Sequence, residues 1–506
     1  MEEIKMKQTT RILALLLALA MVFGLVACGA KTPEAAAPEA AAPEAAAPAT
    51  TEVAKLKWYV CGDPQTDVAT VASAISQYVN ETYGMNIELE MVTYGWGDYD
   101  TKMQMAIASG EEFDLCYTAD WLNNYYSNVA KNAFLPLDDL IAEYGQDMAA
   151  VIPEALFDAT KVNGQIYAVP NWQIESREYD VIIDKAFVDE FGLDVSAVKD
   201  LKDLAPFFAA VSDKYDIDPL QFTAAIFPYL YLDMGFVEIS STSVPGVIKY
   251  SGSDYTVYNQ FESEEYMEMC KLMYNWASND IINDGSYTIT YPQCFADGVH
   301  IATIDPMKPG EDITWQNNMG GKEVVCIPLS ERVMSTSAVV ATLTAISRTS
   351  ENPEVAMQFL NLVNTDATLF NMICFGLEGV HYTLNADGTT TSIDGAGYNP
   401  NTDWAFGNQF LAYPREGQSA TIWEDTKVAD EGATVAWTMG FVFNAEPVAT
   451  EIASCSAVYE QYKQVEIGLI DPEVYIPEMV EKLKQAGSDT IVAEMQRQID
   501  EWRANQ

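Results

Sequence analysis

An α/β fold of two lobes is predicted from three observations. The folded part opens on strand and helix patterns in alternation, it is longer than one core accommodates, and 49% of its residues are hydrophobic. Leu56, Trp58 and Val60 alternate with Lys57 and Tyr59, the period of a strand. Val68, Val71, Ala72, Ile75 and Val79 then recur at three and four, a helix that Asp67 is placed to cap. Ile87, Leu89 and Met91 form a second strand, a helix runs from Asp98 to a stop at Gly110, and residues 113–117 form a third strand. Strand, helix and strand at these lengths imply a parallel sheet, with ligands bound beyond the carboxyl ends of its strands. About 450 residues lie beyond position 54, more than a single core usually holds, so a second lobe is expected.

The leader is legible by itself. Residues 12–23 are almost unbroken apolar, Lys7 and Arg11 precede them, and Leu25-Val26-Ala27-Cys28-Gly29 follows. A spanning helix needs roughly 20 apolar residues, so this shorter run is a secretory signal over residues 1–27. The cysteine after Ala27 resembles a lipobox, which makes Cys28 the lipidation site and anchors the chain to the membrane. Glu2 and Glu3 are foreign to a positive leader, and Met6 is an alternative start. Pro33, Pro38 and Pro43 open successive Pro-Glu-Ala-Ala-Ala units. Proline every five residues prevents a continuous helix, so residues 28–54 form a tether.

Charge and motif content exclude several functions. With 27 basic against 74 acidic residues, neither nucleic acid nor an anionic lipid surface is a partner, and neutral ligands are favoured. Only His300 and His381 exist, far apart, so a HExxH zinc helix is impossible. Neither a GxSxG elbow nor a GxxxxGK[ST] phosphate loop occurs. No catalytic residue, metal ligand or cofactor is therefore assigned. A glycosidase needs only two carboxylates, which leaves a secreted carbohydrate-active enzyme as the rival reading. Beyond Cys28, seven scattered cysteines form an odd set without a CxxC spacing. They read mainly as free buried thiols, with one bridged pair left open.

Several ordered motifs resemble family 1 extracellular solute-binding proteins. They are Trp96-Gly97-Asp98-Tyr99, the run from Ile107 to Leu115, Phe134-Leu135-Pro136-Leu137-Asp138, and Asn163-Gly164-Gln165 through Pro170. Asn352-Pro353-Glu354 opens a helix that Asn352 is placed to cap, with Val355, Phe359 and Val363 on one face. Gly376-Leu377-Glu378-Gly379-Val380-His381-Tyr382 and Gly440-Phe441-Val442-Phe443 resemble a lipoprotein branch with its own C-terminal domain of unknown function. The resemblance implies a two-lobed, periplasmic-binding-protein-like fold with a hinge and an interlobe cleft. It also implies a monomer that closes on a small solute, in this branch usually an oligosaccharide, and hands it to the permease subunits of an ABC importer. A peptide or another polar solute remains an alternative ligand, and a membrane sensor kinase an alternative partner. The first lobe is expected over 55–170 and 296–350, the second over 171–295 and 351–430, and a C-terminal helical region over 431–506.

Sugar binding needs aromatic faces for stacking and carboxylates or amides for hydroxyls. Asp120 with Trp121 follows the third strand and is the first candidate pair, with Asn124 and Tyr125 a turn further on. Asn171 and Trp172 stand at the expected first crossing between lobes. Tyr229 follows an apolar run and resembles the aromatic loop of the second lobe. Residues 301–306 read as a strand returning to the first lobe, which aims Asp305 at the cleft. Trp404, between Asp403 and Asn408, is a second stacking platform. Trp96 reads as a plug at a strand–helix turn, and His381 and Tyr382 as part of a hairpin turning at residues 385–388. Near the end, Asp471-Pro472 opens one helix and Ser488 is placed to cap the last, where Ile491, Val492, Met495, Ile499 and Trp502 share a face.

Overall fold

The computed structural model describes residues 53–252, 254–282 and 298–505. The expected signal, Cys28, nearly all of the expected tether and Cys294 lie outside the described residues. Among the described residues no helix is long and apolar enough to cross a membrane.

The first lobe is built on the expected parallel strands. Ala54–Cys61 pairs in parallel with Ile87–Tyr94 on one side and with Leu115–Thr118 on the other. The helices Val68–Tyr83 and Trp96–Ser109 alternate with these strands, and each ends on a glycine in the left-handed region, Gly84 or Gly110. Two later strands, Leu343–Ile346 and Ala168–Pro170, extend the sheet antiparallel, giving five strands. Leu56, Trp58, Ile75 and Leu115 share one core with Phe359, Leu360 and Phe370.

The second lobe centres on Tyr179–Asp184, flanked antiparallel by Ala302–Pro306 and Val324–Pro328. This corrects the expected division of the chain. The strand after His300 stays in the second lobe, whereas the helix Pro353–Val363 packs into the first-lobe core. An apolar alternating run states that a strand forms but not which sheet receives it, because register partners lie far away in sequence. Three crossings join the lobes, and their short strands Ser176–Arg177, Val333–Met334 and Thr434–Val435 form a sheet of their own.

Three caps differ from expectation. Asp67 makes no cap bond; its carboxylate lies 3.3 Å from His381 Nε2 and its N–H donates to Gly397. Asn352 donates to the Lys55 carbonyl instead of capping. Gly487, at φ 105°, takes the cap position of the last helix, and Ser488 is the first residue inside it. Asp471 does cap its helix, accepting from the Glu473 N–H. The hairpin of Tyr382–Leu384 and Thr390–Ser392 forms as expected. Cys61, Cys116, Cys270, Cys326, Cys374 and Cys455 are free.

The C-terminal helices Ala449–Tyr462, Pro472–Ala486 and Ser488–Ala504 enter the second-lobe core through Tyr459, Met479, Leu483, Ile491, Met495 and Ile499. At this junction Glu466, 1% exposed, accepts hydrogen bonds from Tyr266 at 2.9 Å and Tyr459 at 2.7 Å. Burial outweighs those bonds and pushes its carboxyl up to about 7. The folded state thus keeps a proton that the unfolded chain releases near pH 4.5. The corresponding stability is present below that pH and is lost as pH rises towards 7. Glu466→Gln should therefore flatten the decline in melting temperature between pH 5 and 8 by a few degrees, read by calorimetry.

Candidate ligand-binding site

The loop after the third strand is shaped by buried polar bonds. Thr118 donates to the Asn123 carbonyl at 2.5 Å, and Asn123, at φ 48°, returns a bond from its amide to the Tyr117 carbonyl at 2.9 Å. This tight turn projects Trp121 outward, 52% exposed, with its Nε1–H donating to Ala341 at 2.8 Å. Asp120 turns inward, and its buried Oδ1 has no hydrogen-bond partner. Burial pushes its carboxyl up to about 6; Arg177 opposes that rise and Glu238 adds to it. Arg177, from the first hinge strand, donates to the Tyr179 hydroxyl at 3.2 Å and to the Ser337 carbonyl at 3.3 Å. A cavity beside Asp120 is lined by Tyr126 of the first lobe, Glu238 of the second, Ser337 near the hinge, and Thr438 and Phe441. It is rich in acceptors and bounded by apolar walls, the composition of a site for a neutral polyol.

Next to it, four rings close a quadrilateral. Trp96 stacks on Trp121 with centroids 6.2 Å apart and on Trp404 at 5.8 Å. Tyr117 meets Trp121 and Trp404 edge-on at 6.2 and 6.0 Å. Tyr117 is buried, whereas Trp96 and Trp121 are 38% and 52% exposed, so the group offers aromatic surface over a rigid base. The Trp404 carbonyl accepts from Thr342, which ties this loop to the second crossing.

The candidates divide accordingly. Asp120, Trp121 and Trp404 come together at this place, and Trp96, read as a plug, joins them. Tyr125 does not: it is fully buried, stacks on Phe134 and donates to the Thr160 carbonyl at 2.5 Å. Its neighbour Tyr126 lines the cavity instead, because one residue along a helix turns the side chain by about 100°. Asn124 caps that helix, accepting from Ser127 and donating to the Asp120 carbonyl. Asn171 is buried and bonded to Thr342, Thr344 and Ala405, so it holds strands and loop together. Trp172 packs on Phe410 at 4.8 Å and donates to Glu175, away from the tryptophan group. Tyr229 stacks on Tyr179 at 4.6 Å, and burial followed by Asp305 pushes its phenol up. Asp305 lies on a second-lobe strand opposite Asp180, not on a first-lobe strand.

Missed by the sequence reading were Trp96, Tyr126, Arg177 and Glu238. Glycines on both sides of Trp96 were the one usable signal. Among the described residues no cluster of side chains suits a metal ion.

A profile described as bacterial extracellular solute-binding protein matches residues 73–373, more than half of the chain. The chain belongs to that family. A second profile, a domain of unknown function (DUF3502), matches residues 437–504, so the expected family and its C-terminal domain are both borne out. A carbohydrate ABC transporter substrate-binding protein of Streptococcus pneumoniae serotype 4 is 26% identical over 464 residues, covering 89% of this chain and 91% of that protein. The crystal structure of the N-glycan transport solute binding protein NgtS from Streptococcus pneumoniae is 25% identical, with a TM-score of 0.79 over 89% of this chain and 99% of that one. The alginate-binding protein AlgQ2, 16% identical with a TM-score of 0.61, shares the fold over 89% of this chain and 99% of its own.

The two neighbouring tyrosines can be separated experimentally. Tyr125→Phe should cost about 1–3 kcal/mol, through the orphaned Thr160 carbonyl, and leave ligand affinity unchanged. Tyr126→Ala should weaken affinity, read by titration, and also lower the melt through the packing it loses against Tyr125.

Proposed function

We propose that this solute-binding protein captures an oligosaccharide and delivers it to the permease of an ABC importer. The observation that carries this reading is the tryptophan group of Trp96, Trp121 and Trp404, two of its rings exposed, set beside Asp120, whose buried Oδ1 has no hydrogen-bond partner. Pyranose rings present apolar C–H faces to such indoles, and their hydroxyls donate to such carboxylates. Two exposed indoles in one stacked group suit more than a single sugar ring. The names of its relatives, one a carbohydrate and one an N-glycan transport protein, support the same class. The protein binds its cargo and performs no chemistry on it. Cys28, behind its short apolar leader, holds the chain by lipid at the outer face of the membrane.

Mature chain carrying Cys28→Ser should be screened by thermal shift against glycans, with peptides alongside. A glycan at 100 times its dissociation constant adds about 2.7 kcal/mol, enough to raise the melt by a few degrees. Trp121→Ala should abolish that shift while the unliganded melt stays close to that of the parent chain. Trp404→Ala should abolish it too, with a lower unliganded melt because Trp404 packs on Tyr117. A response to peptides with silence from every glycan would overturn the ligand class. In cells, Cys28→Ser should release the protein from the membrane fraction; retention would remove the lipid anchor from this reading.

A further inference from the structure

Beyond the hinge, a second connection joins the lobes. The segment that leaves the second-lobe strand Ala302–Pro306 runs through Lys308 and Gly310 into the helix Glu311–Asn318. That helix packs on its own lobe through Trp315, beside Ile182 and Met307. The facing segment, residues 403–423, is anchored in the first-lobe core by Phe406 and Ala412. Across the gap Lys308 donates to Gln409 Oε1 at 2.9 Å, and the Gln418 amide donates to the Gly310 carbonyl at 3.1 Å. Packing is equally close. Gly310, at φ 77°, has Ile422 so near that an added Cβ would sit 2.2 Å from its Cδ1, and Ile313 lies against Gly417.

Gln409 does not act alone. Its amide donates to Asp403 Oδ2 at 2.7 Å, and Arg415 donates to Asp403 Oδ1 at 2.7 Å. Burial by itself would raise the Asp403 carboxyl, yet the Arg415 guanidinium holds it well below the usual range. The charged pair is therefore a rigid support for Gln409. Asp403 is also the residue before Trp404, which stacks on Trp96 in the tryptophan group. A chain of direct bonds thus runs from Lys308 in the second lobe through Gln409 and Asp403 to the backbone that carries Trp404.

We propose that Lys308 and Gly310, seated on Gln409, Gln418 and Ile422, form a clasp that holds the cleft closed, and that Asp403 couples this clasp to the Trp404 platform. Such a clasp sets affinity without touching ligand: apparent affinity falls in proportion to the fraction of molecules that are closed. The clasp itself stands without the oligosaccharide reading; only its coupling to ligand rests on that reading.

Small-angle X-ray scattering of the ligand-free mature chain with Cys28→Ser tests the clasp first. Lys308→Met keeps the aliphatic stem and removes the donor, and Gly310→Ala places a methyl group against Ile422. Either variant should show a larger radius of gyration than the parent chain, with a cooperative melt retained. Unchanged dimensions in a folded Lys308→Met protein would overturn the clasp. For the coupling, Lys308→Met should weaken the glycan found by thermal shift roughly five-fold or more, the lower end of ordinary coupling effects. An opened protein with unaltered glycan affinity would overturn the coupling alone. Should no glycan bind the parent chain, scattering still decides the clasp, and the failure belongs to the ligand class.

Discussion

The constraint on which this molecule depends is a sheet only two residues deep. Ser176–Arg177, Val333–Met334 and Thr434–Val435 carry all three crossings between the lobes, and each offers only two residues to the ladder. Asp430 reinforces it from the side, accepting the N–H groups of Glu175 and Ser176 and the Ser176 hydroxyl at 2.5–3.1 Å. The Asp430 carboxylate also raises its neighbour: burial, and then Asp430, pushes Glu175 up to about 7. A join so short resists separation of the lobes yet leaves their relative rotation soft, which is what a hinge requires.

From that join follows the placement of the site. The first crossing brings Arg177 beneath Asp120, the second brings Ala341 to the Trp121 indole and Thr342 to the Trp404 loop, and the third brings Thr438 and Phe441 to the cavity wall. Each crossing thus does two jobs at once. It also explains why cations are placed as they are in a chain of net charge -47. Arg177 and Arg415 are held between acidic partners near the cleft, whereas pairs such as Lys185 with Asp189 lie on exposed helix surface and contribute little. Local fields at the cleft are therefore set by a few buried groups and not by the overall charge.

Much of the first lobe was legible because its elements are local. The strands 54–61 and 87–94 alternate visibly, and Gly84 and Gly110 end their helices where only a left-handed residue serves. The best candidate residues were legible for the same reason, since Asp120 and Trp121 follow directly from the position of a strand end. Tyr125 against Tyr126 was not, because both are tyrosines on a six-residue helix whose phase no sequence periodicity reveals. Arg177 and Glu238 were invisible for another reason: each matters only through a neighbour that lies tens of residues away.

The sequence by itself determined a short apolar run ahead of a cysteine, a proline-punctuated stretch after it, alternating α/β elements and the ordered motifs of a solute-binding family. All of these are carried by runs of neighbouring residues and need no distant partner. Only the tertiary structure decided which lobe receives each later stretch, that Trp96 joins Trp121 and Trp404, and that Lys308 reaches Gln409. Those facts depend on register and packing between segments tens to hundreds of residues apart, and such pairings are settled by burial in a shared core and not by local propensity.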